Sequence, residues 1–262
     1  MKTKIAVNAA SGKMGQQVIR QVTTHPSAQL TAAFCRSNHR LLGRQVDLND
    51  INYSSDLPAG LANSDVVIDF SLPQGTFGLL QQALLSKTPA IIGTTGFNTE
   101  QITQIKKVAE TIPVLLAPNT SIGVNSMFAL LTQAAKLLGK QADIEIIEAH
   151  HKHKVDAPSG TAIRMGETIA AALGEDFDAL KTTASRFEKR SRNKGEIGMS
   201  VIRAGEIIGE HKVLFALDNE IIAIEHKAQN RYCFAEGAVE AAIWLARQPA
   251  GYYSMQDFLA AR

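Results

Sequence analysis

The sequence predicts a doubly wound α/β domain with a parallel sheet, joined to a smaller α+β domain with a mixed sheet. Three observations carry this. Short apolar runs alternate with helical patterns through the first half, a turn of small residues joins the first run to the first helix, and the order of elements changes after Gly139. With 262 residues, 45% of them hydrophobic, the chain can fill one large or two smaller cores at roughly 100–200 residues per domain.

Apolar runs at residues 5–7, 30–34, 66–70, 90–92 and 114–116 have the length of strands buried on both faces. Between them Met14, Val18, Ile19 and Val22 share one helical face, and Ile102, Ile105 and Val108 share another that Asn98 or Thr99 can cap. A further helix over 125–138 carries Met127, Leu130, Leu131, Ala134 and Leu138, and Gly139 stands at the C′ position that favours a left-handed residue. Beyond it the pattern predicts a strand at 143–149, a polar stretch at 150–159, and a helix over about 161–173 ended by Gly174. Strands at 197–203, 212–216 and 221–224 follow, with Ala204-Gly205 and Asp218-Asn219 as turns. A last helix at 235–247 and the capping-box pattern Ser254-Met-Gln-Asp257 can pack back on the first domain. The domains are therefore drawn as 1–121 with 236–262, and 122–235. Residues 181–194, basic and poor in apolar side chains, read as a mobile loop.

Composition excludes several classes. Twenty-seven Lys and Arg against 25 Asp and Glu give a net charge of +2, too balanced for a nucleic-acid or polybasic membrane binder. In the basic 181–194 segment Phe187 is alone as a stacking group for bases. Cys35 and Cys233 form no C-x-x-C pair, which predicts neither a disulfide framework nor a cysteine zinc site and fits a reducing cytoplasm. The N-terminal stretch lacks a signal-peptide core, and no run approaches the 18 apolar residues of a membrane span.

The first candidate site is the turn Ala9, Ala10, Ser11, Gly12, Lys13 and Met14, between the first strand and its helix. Small residues there let backbone approach a pyrophosphate, and the helix N-terminus favours its charge. A plain tight turn is the competing reading. Ala9 occupies the first-glycine place, which demands negative φ or a modified turn geometry. About twenty residues past Gly15, an NAD site carries an acid for the ribose 2′-hydroxyl; here the strand ends Phe34-Cys35-Arg36. Arg36, helped by Lys13 or Arg40, suits a 2′-phosphate, so NADPH is expected over NADH, with NADH still usable. As ordinary solvated loop residues these arginines would say nothing of the cofactor. The strand-end turns holding Gly93, Thr94 and Thr95, and Ala117, Pro118, Asn119 and Thr120, would line the nicotinamide end.

The densest cluster is Glu148-Ala-His-His-Lys-His-Lys-Val-Asp-Ala-Pro-Ser-Gly-Thr161, with three of the chain's seven histidines. A metal site is one reading, but adjacent His150 and His151 project oppositely on an extended chain and no HExxH helix completes a set, so no metal is expected. A surface polar loop is another. The preferred reading is an anion and acid–base site: histidine titrates near neutrality, Lys154 is a fixed cation, and Ser159, Gly160 and Thr161 offer a hydroxyl and free N–H groups at a helix start.

Together these segments closely resemble the 4-hydroxy-tetrahydrodipicolinate (dihydrodipicolinate) reductase family of the diaminopimelate route to lysine, nearly end to end. The His-His-Lys-His-Lys segment is the most specific. Gly12-Lys-Met-Gly15, Val67-Ile-Asp-Phe-Ser71, Gly93-Thr-Thr-Gly96, Ala117-Pro-Asn119, Arg203-Ala-Gly205, Gly209-Glu-His211 and His226-Lys227 support it. Two places depart from the family pattern: Ala9 replaces a glycine, and Cys35 an acid that many members have. The resemblance implies a Rossmann-like cofactor domain, a homotetramer assembled through the second sheet, and a small cyclic substrate bearing two carboxylates. It implies His150 as general acid/base and Lys154 as a second proton donor, with His151, Gly160 and Thr161 holding substrate. Arg231 can add positive charge. Two rivals stand beside it: another two-domain NAD(P) oxidoreductase, such as an acylating semialdehyde dehydrogenase, which needs a reactive cysteine, and a non-catalytic NADPH-sensing regulator, which needs no histidine cluster.

Overall fold

The first strand, β1 (Thr3–Asn8), buries Ile5 and Val7 on one face and Ala6 on the other, as a central strand covered by helices on both sides must. It leads into α1 (Lys13–Thr24), whose Val18, Ile19 and Val22 form the buried face read from the sequence. In the computed structural model, which describes residues 1–46, 49–139, 141–182 and 191–262, there follow β2 (Ala28–Phe34), β3 (Tyr53–Ser54), α2 (Leu57–Leu61), β4 (Val66–Asp69), α3 (Pro73–Ser86), β5 (Ala90–Ile92), α4 (Thr99–Ala109) and β6 (Pro113–Leu116). Next come α5 (Ile122–Leu138), β7 (Asp143–His150), α6 (Gly160–Leu173), α7 (Phe177–Leu180), β8 (Lys181–Thr182), β9 (Ile197–Arg203), β10 (Glu210–Ala216) and β11 (Ile221–Lys227). The chain ends with α8 (Tyr232–Leu245), β12 (Gly251–Tyr253) and α9 (Met255–Ala260). Residues 1–122 with 232–262 form one compact unit and 123–231 a second.

The first unit is Rossmann-like. Its seven strands are all parallel, in the order β12-β6-β5-β4-β1-β2-β3, with helices packed on both faces. Strand order reverses at β1, so the carboxyl ends of β1 and β4, level at Asn8 and Asp69, flank the point where open α/β sheets take ligands. Helix α3 escapes the periodicity reading because Gly75 and Gly78 dilute its apolar face, yet Leu79, Leu80 and Ala83 are buried and Pro73 fixes its first turn. Asn98 caps α4 in a complete capping box with Gln101, and Ser254 caps α9 in another with Asp257.

In the second unit five strands run β11-β10-β7-β9-β8, with β7, β9 and β8 parallel and the rest antiparallel. One face is apolar for most of its length: Ile144, Ile146, Val213, Phe215, Ile197 and Met199 pack under α5 and α6. Gly174 ends α6 with φ 76°, but Gly139 is no left-handed cap; a Cβ there would lie 2.5 Å from Leu173 Cδ2, so the glycine serves close packing. Of the basic 181–194 segment, Lys181 and Thr182 form β8 and residues 183–190 lie outside the described residues. Among the described residues no helix is long and apolar enough to cross a membrane.

Candidate active site

Ala9 adopts φ 51°, the left-handed conformation, so the negative-φ turn allowed from the sequence is not the one used. The turn is closed by Gly12 N–H donating to Ala9 O and by Ala10 N–H donating to Phe34 O, each at 2.9 Å. Gly12 caps α1 with no side-chain hydrogen bond, so the cap itself supplies no side-chain acceptor to the first-turn N–H groups. A Cβ on Gly15 would stand 2.3 Å from Ala9 O and 2.7 Å from Ala10 Cα, so only glycine lets the helix sit this close to the turn. The result is a backbone-lined cradle of the kind a pyrophosphate occupies. Lys13, Arg36 and Arg40 are exposed, and no ion pair engages them among the described residues.

The strand-end turns are tied together by Asp69. Its buried carboxylate accepts from Asn8 Nδ2 (2.8 Å), Ser71 N–H (3.1 Å), Thr76 Oγ1 (2.5 Å) and Thr94 Oγ1 (3.0 Å). The Thr94 hydroxyl is thereby held to the end of β4. The Thr120 hydroxyl likewise donates to Phe234 O at 2.7 Å. Thr95 and Pro118 remain exposed, Asn119 Oδ1 accepts from Ser121 N–H, and Gly93 is required because a Cβ would reach within 2.2 Å of the Phe70 ring.

In the second unit the apolar sheet face turns polar at one end. Along β7, Ile144 and Ile146 are followed on the same face by Glu148 and His150; β10 sets His211 opposite Glu148, and β9 sets Arg203 opposite His150. Glu148, 1% exposed, accepts from His150 Nδ1 at 2.6 Å, from both Arg203 Nη atoms at 2.8 Å and from Ser159 N–H at 2.9 Å. Burial works to raise the Glu148 carboxyl, but the bonds from Arg203, His150 and Ser159 prevail and hold it below the usual range. Burial lowers His150, with Glu148 opposing. His211 stands edge-on to His150, ring centroids 5.2 Å apart, and burial pushes it down to about 4.

Ser159 caps α6: its hydroxyl accepts from Ala162 N–H at 3.2 Å and lies 3.3 Å from His211 Nε2. Both its N–H and its hydroxyl are therefore engaged inside the protein. Gly160, the first helical residue, is exposed, and a Cβ there would meet nothing within 4 Å. Lys154 pairs with Asp156 at 2.8 Å, and His151 Nδ1 is buried with no partner among the described residues. Arg231 is exposed, and no hydrogen bond or ion pair joins it to the cluster among the described residues. His153 lies 3.9 Å from the exposed Glu206. Among the described residues no group of three or more His, Cys, Asp or Glu side chains is arranged to hold a metal ion.

Residue reading singled out His150 but assigned no role to Glu148, Arg203 or His211. The signal was available: Glu148 and His150 are two apart in a strand and so share a face. Which strands flank them is a tertiary fact. Both thiols are raised by burial, at Cys35 and, against a hydrogen bond with Ser121, at Cys233, opposite to what an acylating nucleophile needs.

Residues 3–120 match the family described as Dihydrodipicolinate reductase, N-terminus, and residues 123–259 match Dihydrodipicolinate reductase, C-terminus. The 4-hydroxy-tetrahydrodipicolinate reductase of Polynucleobacter necessarius subsp. necessarius (strain STIR1) is 45% identical over 99% of both chains. That of Pseudoalteromonas translucida (strain TAC 125) is 43% identical over 98% of both. A solved structure, dipicolinate-bound dihydrodipicolinate reductase from Paenisporosarcina sp. TG-14, superposes with a TM-score of 0.80 at 26% identity, covering 97% of this chain and 98% of the other.

Proposed function

The chain belongs to the dihydrodipicolinate reductase family of NAD(P)H-dependent oxidoreductases in lysine biosynthesis, and on that premise we propose that it reduces 4-hydroxy-tetrahydrodipicolinate to tetrahydrodipicolinate, with His150 as general acid and NADPH preferred. The observation that carries the proposal is a nearly buried histidine at the polar end of an otherwise apolar sheet face, hydrogen-bonded to a buried carboxylate and followed in sequence by an open helix start.

Ala9, Ala10, Ser11, Gly12, Lys13 and Met14 would hold the dinucleotide phosphates, a fit supported by the space that Gly15 keeps free of a Cβ under the turn. Arg36 would hold a 2′-phosphate, while backbone of Gly93 to Thr95 and Ala117 to Thr120 would border the nicotinamide. When bound, the reduced nicotinamide supplies hydride to the substrate carbon from which the 4-hydroxyl has left as water. His150 then donates a proton to the enamine carbon that results. The two substrate carboxylates need cations and directed donors: Gly160 and Thr161 supply backbone at the α6 N-terminus, and His151, Arg231 and Lys154 supply side chains. The Lys154–Asp156 pair is partly exposed, so opening it toward a substrate carboxylate costs about 1 kcal/mol or less. Lys154 also serves as the second proton donor.

The outer face of the second sheet leaves Ile202 46% and Ile221 63% exposed, which supports assembly as a homotetramer through that surface. A biosynthetic substrate and two free cysteines support a cytoplasmic location.

The test is oxidation of NADPH and NADH, in parallel, by the purified protein with substrate made in place from pyruvate and aspartate semialdehyde by the upstream synthase. Turnover with NADPH favoured is expected, and His150→Ala should lower it by roughly 10²–10⁴-fold with nucleotide binding unchanged. Nucleotide binding with no turnover would sink the proposal in favour of a sensor.

A further inference from the structure

Glu148 accepts four hydrogen bonds, from His150, Ser159 and both Nη atoms of Arg203, which fill the acceptor sites of a carboxylate. An ionised carboxylate only accepts hydrogen bonds, and Arg203 keeps Glu148 ionised with a two-pronged contact at 2.8 Å on each oxygen. Arg203 is itself aimed by the carbonyls of Ile202 at 2.8 Å and Asp156 at 2.6 Å. The His150 nitrogen 2.6 Å from Glu148 must therefore carry hydrogen. That leaves Nε2 as the exchangeable position, and it points to Gly209, where a Cβ would come within 3.2 Å. The oxygen of Glu148 not bonded to His150 accepts from Ser159 N–H, the cap of α6, at 2.9 Å.

We propose that Glu148, clamped by Arg203, is a positioning residue that fixes the Nδ1–H tautomer of His150, so that Nε2 exchanges the proton, and at the same time sets where the first turn of α6 stands relative to that atom. The catalytic half rests on His150 being the acid; the tautomer half does not. The titratable and charged groups around His150 are Glu148 on its own strand, Arg203 on β9, His211 on β10 and Lys154 in the following loop, with His226 beyond His211 and Asp156 beside Lys154. Of those acting on His150, Glu148 favours its charged form, and Arg203 and Lys154 oppose it. Removing the Glu148 charge therefore moves the His150 titration to lower pH.

The experiment is ring-nitrogen NMR of the full-length protein across pH, with the His150 signals identified by their loss in His150→Asn, alongside steady-state kinetics of Glu148→Gln. The wild-type spectrum should report hydrogen on Nδ1 in the neutral ring. Glu148→Gln should mix the two tautomers, shift the titration and the kcat–pH profile to lower pH, and lower kcat by roughly 10²–10⁴-fold. The KM for NADPH should not move. A neutral wild-type ring with hydrogen on Nε2 overturns the proposal even if Glu148→Gln fails to fold, as does a folded Glu148→Gln with wild-type tautomer and titration. Wild-type protein that turns over with neither nucleotide removes His150 as an acid, while the spectra still decide the tautomer.

Discussion

Replacing Ala9 by glycine should stabilise the protein. Ala9 sits at φ 51°, and the turn holds it there through Gly12 N–H to Ala9 O and Ala10 N–H to Phe34 O, each at 2.9 Å. An L-residue in the left-handed region costs roughly 1–2 kcal/mol, which glycine does not incur. Glycine's greater freedom in the unfolded chain returns about 0.4–1 kcal/mol of that. The net gain is about 0.5–1 kcal/mol, and for a chain of this size ~1 kcal/mol moves Tm by roughly 2–4 °C, so a rise of about 1–4 °C is expected. Scanning calorimetry of the nucleotide-free protein measures it. Gly15→Ala provides the opposite sign from the same geometry: the new Cβ would stand 2.3 Å from Ala9 O and 2.7 Å from Ala10 Cα, both backbone, so α1 must retreat. Overpacking of that kind costs about 1–3 kcal/mol, and NADPH affinity should fall with it. A lower Tm for Ala9→Gly, or an unaffected Gly15→Ala, would refute the turn geometry on which the cofactor assignment stands.

Three further outcomes are expected. Arg36→Ser should reduce the NADPH-over-NADH preference in kcat/KM by roughly 10–100-fold, the worth of a charge-assisted hydrogen bond of about 1.5–3 kcal/mol; an unchanged ratio removes Arg36 from cofactor selection. Gly209→Ala should lower kcat by roughly 10–100-fold with NADPH binding intact, because its methyl would lie 3.2 Å from His150 Nε2. His211 bears on stability. Its folded pKa, about 4, lies below the ordinary 6.5, so the unfolded chain binds the extra proton between those values and stability falls as pH drops from 6.5 toward 4. The loss is at most ~3 kcal/mol. Urea unfolding of His211→Asn from pH 7 to pH 4.5 should show a flatter dependence than wild type, and equal slopes would mean that His211 is not held neutral in the fold.

The strands of the first unit are legible because a parallel sheet buried on both faces needs uninterrupted apolar runs, and such runs at residues 5–7, 66–70 and 90–92 have few other readings. The helix at Pro73–Ser86 is not, since Gly75 and Gly78 interrupt its stripe and its buried Thr76 is polar. At the site, sequence density exposes His150 and its neighbours, whereas Arg203 and His211 lie 53 and 61 residues further on and reach Glu148 through strand pairing. Their role depends on register, which local pattern does not encode. The hydroxyls of Ser159, Thr94 and Thr120 each make a bond within the fold that local pattern does not reveal. A hydroxyl near a strand end or helix start is as readily consumed by a cap or a buried carboxylate as offered to a substrate.

The places where this chain breaks local rules lie beside the strand ends. Ala9 is left-handed without being glycine, Asp69 is a buried carboxylate serving four donors, and Glu148 is buried, paired with a partly exposed Arg203 and flanked by His211. None of these is the stable choice: a buried ion pair is commonly matched or exceeded by well-packed apolar residues, and a neutral buried histidine forfeits stability in acid. The core beneath Glu148 needs no such features, since Ile144, Ile146, Val213 and Phe215 fill the same sheet face with apolar volume. Strain at Ala9 and the buried Asp69 beside the strand ends of the first sheet, and the buried Glu148 at the polar end of the second, each with an ordinary apolar core in its own unit, are the distribution expected when geometry at the strand ends is held for chemistry and the rest of each sheet supplies the rigidity that holds it.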